Sequence, residues 1–177
     1  MASFLSQRVT RIGLAVSLIA LATLVIRIPN PATQGYINLG DAMLFIVALI
    51  FGWRVAGVAG ALGSALADVL GGFLIWAPWT LLIKGCEGVI VGFIAGLGNS
   101  LSPSANLVVP LVAVLVGGIW MVSGYYLAGT IMFGPVAALT QIPGDLIQAL
   151  VAGGVALPLS KIIKNILEKG DHGLLTH

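Results

Sequence analysis

A chain of 177 residues that is 59% hydrophobic and only 8% charged cannot cover a water-facing surface, since a soluble domain carries about 25% charged residues. A soluble globular enzyme is therefore excluded first, and a scattered net charge of +2 excludes nucleic-acid binding. Mean hydropathy of +1.10 and this length suit a single all-α membrane domain over 1–177, with about six spans of roughly 20 residues and short connections.

Arg8 and Arg11 precede an apolar run that predicts helix 1 over 12–26. It is not read as a signal peptide, because Arg27 and Pro29-Asn30-Pro31 follow without an Ala-x-Ala cleavage pattern. The two prolines stop the helix, since proline cannot donate the helical hydrogen bond. Residues 30–36 become the first loop. Helix 2 is expected over 37–53, ended by Arg54, and helix 3 over 55–75. Pro78 suits the first turn of helix 4, which runs to about 97. A polar loop over 98–106 leads to helix 5 over 107–128, and a turn over 129–135 to helix 6 over 136–163, kinked at Pro143. Residues 168–177 read as a polar, frayed tail. Cys86, the only cysteine, leaves no intrachain disulfide or cysteine metal cluster and reads as a buried small hydrophobe.

Six spans place both termini on one side. Arg8, Arg11, Arg54, Lys161, Lys164 and Lys169 fall on that side and only Arg27 on the other, so the positive-inside rule makes both termini cytoplasmic. At 1.5 Å per residue, Asp41 then lies roughly 6 Å below the outer surface, Asp68 and Lys84 roughly 10 Å, and Asp145 roughly 13 Å. Glu87 is one turn deeper than Lys84 on the same face of helix 4. Five ionisable groups from four helices thus share the outer half of the membrane. Such groups are costly in lipid and face an interior with partners.

Bland readings compete at each position. Asp41, three residues after Asn38, could cap helix 2. Asp68 could be a packing carboxylate paired with Lys84. Lys84 and Glu87 could neutralise each other at i, i+3. The sum still does not close, because four acids face one lysine, so some acid is protonated or meets something else. Gln141, Asp145 and Gln148 form one polar stripe on helix 6. Trp76, Trp79, Tyr125 and Tyr126 lie at similar depth. The interfacial aromatic belt accounts for them, most strongly for Trp76, while one or two of the others could stack on a flat ring. The composite is an outward-facing polar and aromatic pocket for a small heterocycle.

Small residues mark two further faces: Gly57, Gly60, Ser64, Ala67 and Gly71 on helix 3, and Gly13, Ser17 and Ala20 on helix 1. Each suits close helix packing, inside the bundle or against another protein. There is no G-x-x-x-x-G-K-[ST] phosphate loop. Both histidines, His172 and His177, are in the tail, so no intramembrane Ser-His-Asp or H-E-x-x-H site can form. No cofactor or metal is called for, and binding or transport outranks catalysis.

The stretch Tyr36-Ile37-Asn38-Leu39-Gly40-Asp41-Ala42 resembles the start of helix 2 in the substrate-binding S components of energy-coupling factor vitamin transporters. Gly60-Ala61-Leu62-Gly63-Ser64-Ala65-Leu66-Ala67-Asp68 and Leu82-Ile83-Lys84-Gly85-Cys86-Glu87-Gly88 are similar to the same family. The resemblance covers nearly the whole chain and is nearest the branch with hydroxymethylpyrimidine, pyridoxine-like and riboflavin S components. It implies a six-helix S-component bundle in a bacterial cell membrane, partnered by a transmembrane T component and two cytoplasmic ATPases. It implies docking to the T component through small residues of helix 1, here Gly13, Ser17 and Ala20 in place of the family's Ala-x-x-x-Ala. It also implies a substrate site drawn from the first loop and helices 4 to 6. The substrate-binding set so assembled is Asn38, Trp79, Lys84, Glu87, Tyr125, Gln141, Asp145 and Gln148, with Asp41 and Asp68 as structural polar groups.

The resulting expectation is a non-enzymatic S component that captures a hydroxymethylpyrimidine or vitamin B6-like heterocycle for ATP-driven uptake. A riboflavin-type S component and a solitary ion-coupled carrier are the alternatives, with a ligand-free structural subunit behind them.

Overall fold

The computed structural model describes residues 2–98 and 105–174, with side chains for 7, 9–98 and 108–167. Helix α1 (Ala2–Val25) ends where the proline-containing stretch begins. That stretch is not an open loop. Arg27–Asn30 (β1) and Gly35–Asn38 (β2) pair antiparallel, with Arg27 opposite Asn38 and Asn30 opposite Gly35. The Asn30 side chain accepts the Ala32 amide at 3.1 Å, and Gln34 takes the left-handed φ of 52° that closes the turn.

Helices α2 (Gly40–Phe51), α3 (Trp53–Gly71) and α4 (Ala77–Leu97) follow. α2 is shorter than expected because Ile37 and Asn38 belong to the hairpin. Gly52, at φ 76°, makes the corner between α2 and α3, a conformation that favours glycine. Pro78 sits in the first turn of α4, as expected. Most of the expected 98–106 loop lies outside the described residues. α5 (Ala105–Phe133) runs a turn past its expected end. The expected helix 6 is divided into a single-turn α6 (Pro135–Leu139) and a long α7 (Ile142–Leu174). Pro143 therefore stands in the first turn of α7, where its missing N–H costs nothing, and does not kink a continuous helix. The backbone of α7 stays helical through Leu174, beyond the expected start of the tail; residues 175–177 lie outside the described residues.

Among the described residues four stretches are long and apolar enough to cross a membrane: Trp53–Gly71, Ala77–Leu97, Val108–Phe133 and Pro135–Leu167. Val9–Val25 and Gly40–Phe51 are apolar but shorter. At 1.5 Å per residue α2 reaches roughly 18 Å, and the hairpin above it supplies the remaining depth of that corner.

The expected small-residue face of helix 3 is internal. A Cβ on Gly60 would stand 2.6 Å from Leu44 Cδ1 and 2.7 Å from the Lys84 carbonyl, and one on Gly88 would fall on the backbone of Ala56. α3 and α4 therefore meet backbone to backbone. The main core, around Ile19, Leu44, Phe45, Val47, Ala56, Ala59, Val91, Ala113 and Ala152, fills the half away from the hairpin. A second cluster of Trp76, Ile83, Met121 and Ala128 lies toward the hairpin. Cys86 is exposed on the outer face of α4 and not buried, because the inward positions around it belong to Lys84, Glu87 and Gly88.

Candidate binding pocket

The helical register of α4 sets the site. Trp76, at the N-cap of α4, and Thr80, Lys84 and Glu87 within it, recur at spacings of four, four and three, and all four are buried. Lys84 Nζ makes ion pairs with Asp41 Oδ1 of α2 and, at 2.9 Å, with Glu87 Oε2. Gln148 Nε2 of α7 donates to Asp41 Oδ2 at 2.7 Å. Its Oε1 accepts the backbone N–H of Asn38 at 2.6 Å. One glutamine thus ties α7 to both α2 and the hairpin.

Asp41 is no cap. The N-cap position of α2 is Leu39, without a side-chain bond, and the Asp41 carboxylate is fully engaged by Lys84 and Gln148. Asn38 does the local work instead, accepting the Gly40 N–H at 2.8 Å. Asp68 does not pair with Lys84. Its Oδ1 accepts the Tyr36 hydroxyl at 2.5 Å. Burial first, and then the neighbouring Asp68 carboxylate, push the Tyr36 phenol above its ordinary pKa, so it remains a donor. The expected mutual pairing of Lys84 and Glu87 is present.

The hairpin is fastened over these groups at several points. The indole N–H of Trp76 donates to the Thr33 carbonyl at 3.1 Å. Arg27 lies 5.8 Å from the ring centroids of both Tyr36 and Phe73, and its Nη1 donates to the Gly71 carbonyl at 3.4 Å. Trp76 is only 3% exposed. It is a wall of the pocket and not part of an aromatic belt, because the hairpin covers it. Its ring meets Tyr125 edge-on at 5.8 Å, and the Tyr125 hydroxyl donates to Thr80 Oγ1 at 3.2 Å.

Beneath the hairpin a cavity of about 30 Å³ remains, lined by Tyr36, Asn38, Asp68, Trp76, Thr80, Lys84, Tyr125, Gln141, Asp145 and Gln148 among others. Of the expected substrate-binding set, Asn38, Lys84, Tyr125, Gln141, Asp145 and Gln148 converge there. Glu87 and Trp79 do not line it. Glu87 is fully buried behind Lys84, and Trp79 is turned away to pack on the second apolar cluster. Tyr36, Trp76 and Thr80 are pocket walls outside that expected set. The i, i+4, i+8 spacing of Trp76, Thr80 and Lys84 was a signal that could have found two of them.

Three pocket acceptors have no hydrogen-bond partner among the described residues: Asp68 Oδ2, Gln141 Oε1 and Asp145 Oδ2. Thr33 Oγ1 and Glu87 Oε1 share that condition nearby. Buried polar atoms are almost always satisfied, so such a cluster marks a place for hydrogen-bond donors.

A family model described as the S component of ECF-type riboflavin transporters matches residues 4–165. The chain belongs to the S components of energy-coupling factor transporters. It is 42% identical to an uncharacterized protein of Pyrococcus woesei, over 85% of this chain and 99% of that one. It is 28% identical to the thiamine precursor transporter HmpT of Lactococcus lactis, over 77% of this chain and 75% of the relative. A solved S component of a bacterial ECF transporter has the same fold, with a TM-score of 0.66 at 17% identity, covering 92% of this chain and 98% of that one. As an S component the protein is a multi-pass membrane transport subunit for a vitamin-type substrate, and not an enzyme. S components work with a T component and ATPases.

Proposed function

We propose that this S component captures a single-ring, donor-bearing vitamin precursor of the aminopyrimidine type. It does so from outside a bacterial cell membrane, with both termini cytoplasmic, and hands the ligand to a T component and two ATPases. The observation that carries this reading is the chemistry of the partnerless atoms: those lining the cavity are all acceptors, on α3, at the α6–α7 junction and on α7. An amino or hydroxymethyl group supplies matching donors. A flavin ring edge presents mostly acceptors and so meets these atoms less well. The likeness to a thiamine precursor transporter supports the same class.

Asn38, Lys84, Tyr125, Gln141, Asp145 and Gln148 are the contacts proposed, with Asp41 and Glu87 holding Lys84 in place. Arg11, Arg54, Lys161 and Lys164 lie toward the end opposite the hairpin, which supports the orientation by the positive-inside rule. The face of α1 carrying Gly13 and Ser17 is exposed, and a Cβ on Gly13 would meet none of the described residues within 4 Å. That face suits docking of the T component. Ala20 is buried within the bundle and is not available to it.

Equilibrium binding to the purified chain tests the proposal. Hydroxymethyl-aminopyrimidine is expected to bind at least tenfold tighter than riboflavin, with pyridoxine between. Liposomes holding the chain alone should not accumulate the pyrimidine with internal ATP, and should do so once a T component and two ATPases are added. Tighter riboflavin binding would reverse the substrate assignment, and gradient-driven uptake by the lone chain would replace this reading with an ion-coupled carrier.

A further inference from the structure

We infer that the pocket takes its ligand as a cation, with the positive nitrogen against Asp145 and Asp68 and the ring against Trp76 and Tyr125. The inference rests on the vitamin-precursor reading and adds the charge state of the ligand to it.

Lys84 is the only cation lining the cavity among the described residues. It is already held by two carboxylates, Asp41 and Glu87. No ion pair within 4 Å joins Asp68 or Asp145 to any cation among the described residues. Arg27, at the start of the hairpin, lies over the rings of Tyr36 and Phe73 and donates to the Gly71 carbonyl, outside ion-pair distance of Asp68. Asp68 and Asp145 are 2% and 7% exposed, and each has one oxygen without a partner. A buried carboxylate is retained where a positive charge or a proton meets it.

The walls favour the positive charge. Trp76 and Tyr125 stand 5.8 Å apart, edge to face, beside these carboxylates, and the faces of such rings attract cations. Lys84 Nζ, 5.4 Å from the Tyr125 ring, already uses one of them. The groups that face Asp145 are Asp41 on α2 and Lys84 and Glu87 on α4; those that face Asp68 are Tyr36 and Arg27 of the hairpin, Thr80 and Lys84 on α4, and Tyr125 on α5. Among the described residues no cation stands within ion-pair distance of either carboxylate. A ring-protonated or N-alkylated heterocycle completes this set. A phosphate ester of the same ring would bring a dianion toward four carboxyl groups, so the dephosphorylated form is the one accepted.

The test uses the full chain in lipid nanodiscs at one fixed pH, so that the protein's own protonation is the same for every probe. The probes are an aminopyrimidinium methylated on a ring nitrogen, its carbocyclic aniline analogue, the phosphate ester of the hydroxymethyl-aminopyrimidine, and riboflavin. The cation should bind at least tenfold tighter than the neutral analogue, and the ester should not bind measurably. Asp145→Asn should bring that ratio toward one, while Asp145→Glu retains it. Equal or tighter binding of the neutral analogue, or a ratio that survives both Asp145→Asn and Asp68→Asn, overturns the charge inference and leaves the vitamin-precursor reading standing. Riboflavin binding without either pyrimidine-type probe, or no binding of any probe, overturns both. Should Asp145→Asn fail to fold, the wild-type ratio and the Asp145→Glu ratio still decide.

Discussion

The two halves of this bundle spend their burial differently. In the half away from the hairpin the interior is Leu44, Phe45, Val47, Ala56, Ala59, Val91 and Ala113, and its one buried polar side chain among the described residues is Ser160, which donates to its own helix at the Leu157 carbonyl. In the hairpin half, Asp41, Asp68, Thr80, Lys84, Glu87, Gln141, Asp145 and Gln148 are all buried. Apolar packing in the first half is tolerant of chemistry and intolerant of volume. The second half is the reverse: small changes of charge act through partners already committed to one another. The contrast teaches that the fold is anchored at one end so that the other can hold an unbalanced set of charges.

The largest effect should come from volume in the packed seam. Gly88 meets the backbone of Ala56, which cannot swing aside as a side chain could. Gly88→Leu should cost at or above the roughly 3 kcal/mol upper end of overpacking and eliminate the monodisperse peak in size-exclusion chromatography. Gly13→Leu, on a face with none of the described residues within 4 Å, should leave melting temperature and ligand affinity unchanged while weakening T-component assembly. If both variants fold equally well, α3 and α4 do not meet as closely as described and the anchoring half is misjudged.

Charge removal in the other half should rank second. Lys84→Met leaves Asp41 and Glu87 facing each other without a cation. Losing one partner of a buried ion pair costs about 3–5 kcal/mol. A depressed melting temperature together with lost ligand binding is expected. A variant as stable as wild type would mean that the two carboxyls share a proton and never needed the lysine.

How much of this division was readable in advance differs by element. The bundle, its polar cluster and its family followed from hydropathy, from ionisable residues sharing the outer half of the membrane and from three local motifs. The hairpin did not, because Pro29 and Pro31 announce only where a helix stops, and pairing across residues 27–38 depends on a covering role that tertiary structure supplies. Asp41 looked like a cap because its sequence position suits one; its true partners, Lys84 and Gln148, are 43 and 107 residues away. Trp76 looked like a belt residue for the same reason. Local spacing names the face a residue is on, and only the folded chain tells what lies opposite.

The smallest effect should sit at the border between the halves. Glu87 is fully buried, does not line the cavity and has one oxygen without a partner. It is the second carboxylate on a lysine that Asp41 already neutralises. Glu87→Gln keeps the volume and an acceptor for Lys84 at 2.9 Å, while its amide can serve as a donor. It removes the ionisable group while leaving Lys84 paired with Asp41. Because replacing a surplus buried charge by a neutral isostere is often neutral or stabilising, the change in stability should stay within about 1 kcal/mol. Ligand affinity should move by less than about fivefold, the equivalent of that energy. The same isosteric exchange at Asp145, which does line the cavity, should cost one to two decades by loss of a charge-assisted bond worth roughly 1.5–3 kcal/mol. Titration calorimetry on the two variants side by side measures the difference. If Glu87→Gln loses as much affinity as Asp145→Asn, the ligand reaches past Lys84 into the apolar half, and the boundary between anchoring and recognition lies a full helical turn deeper than the cavity lining indicates.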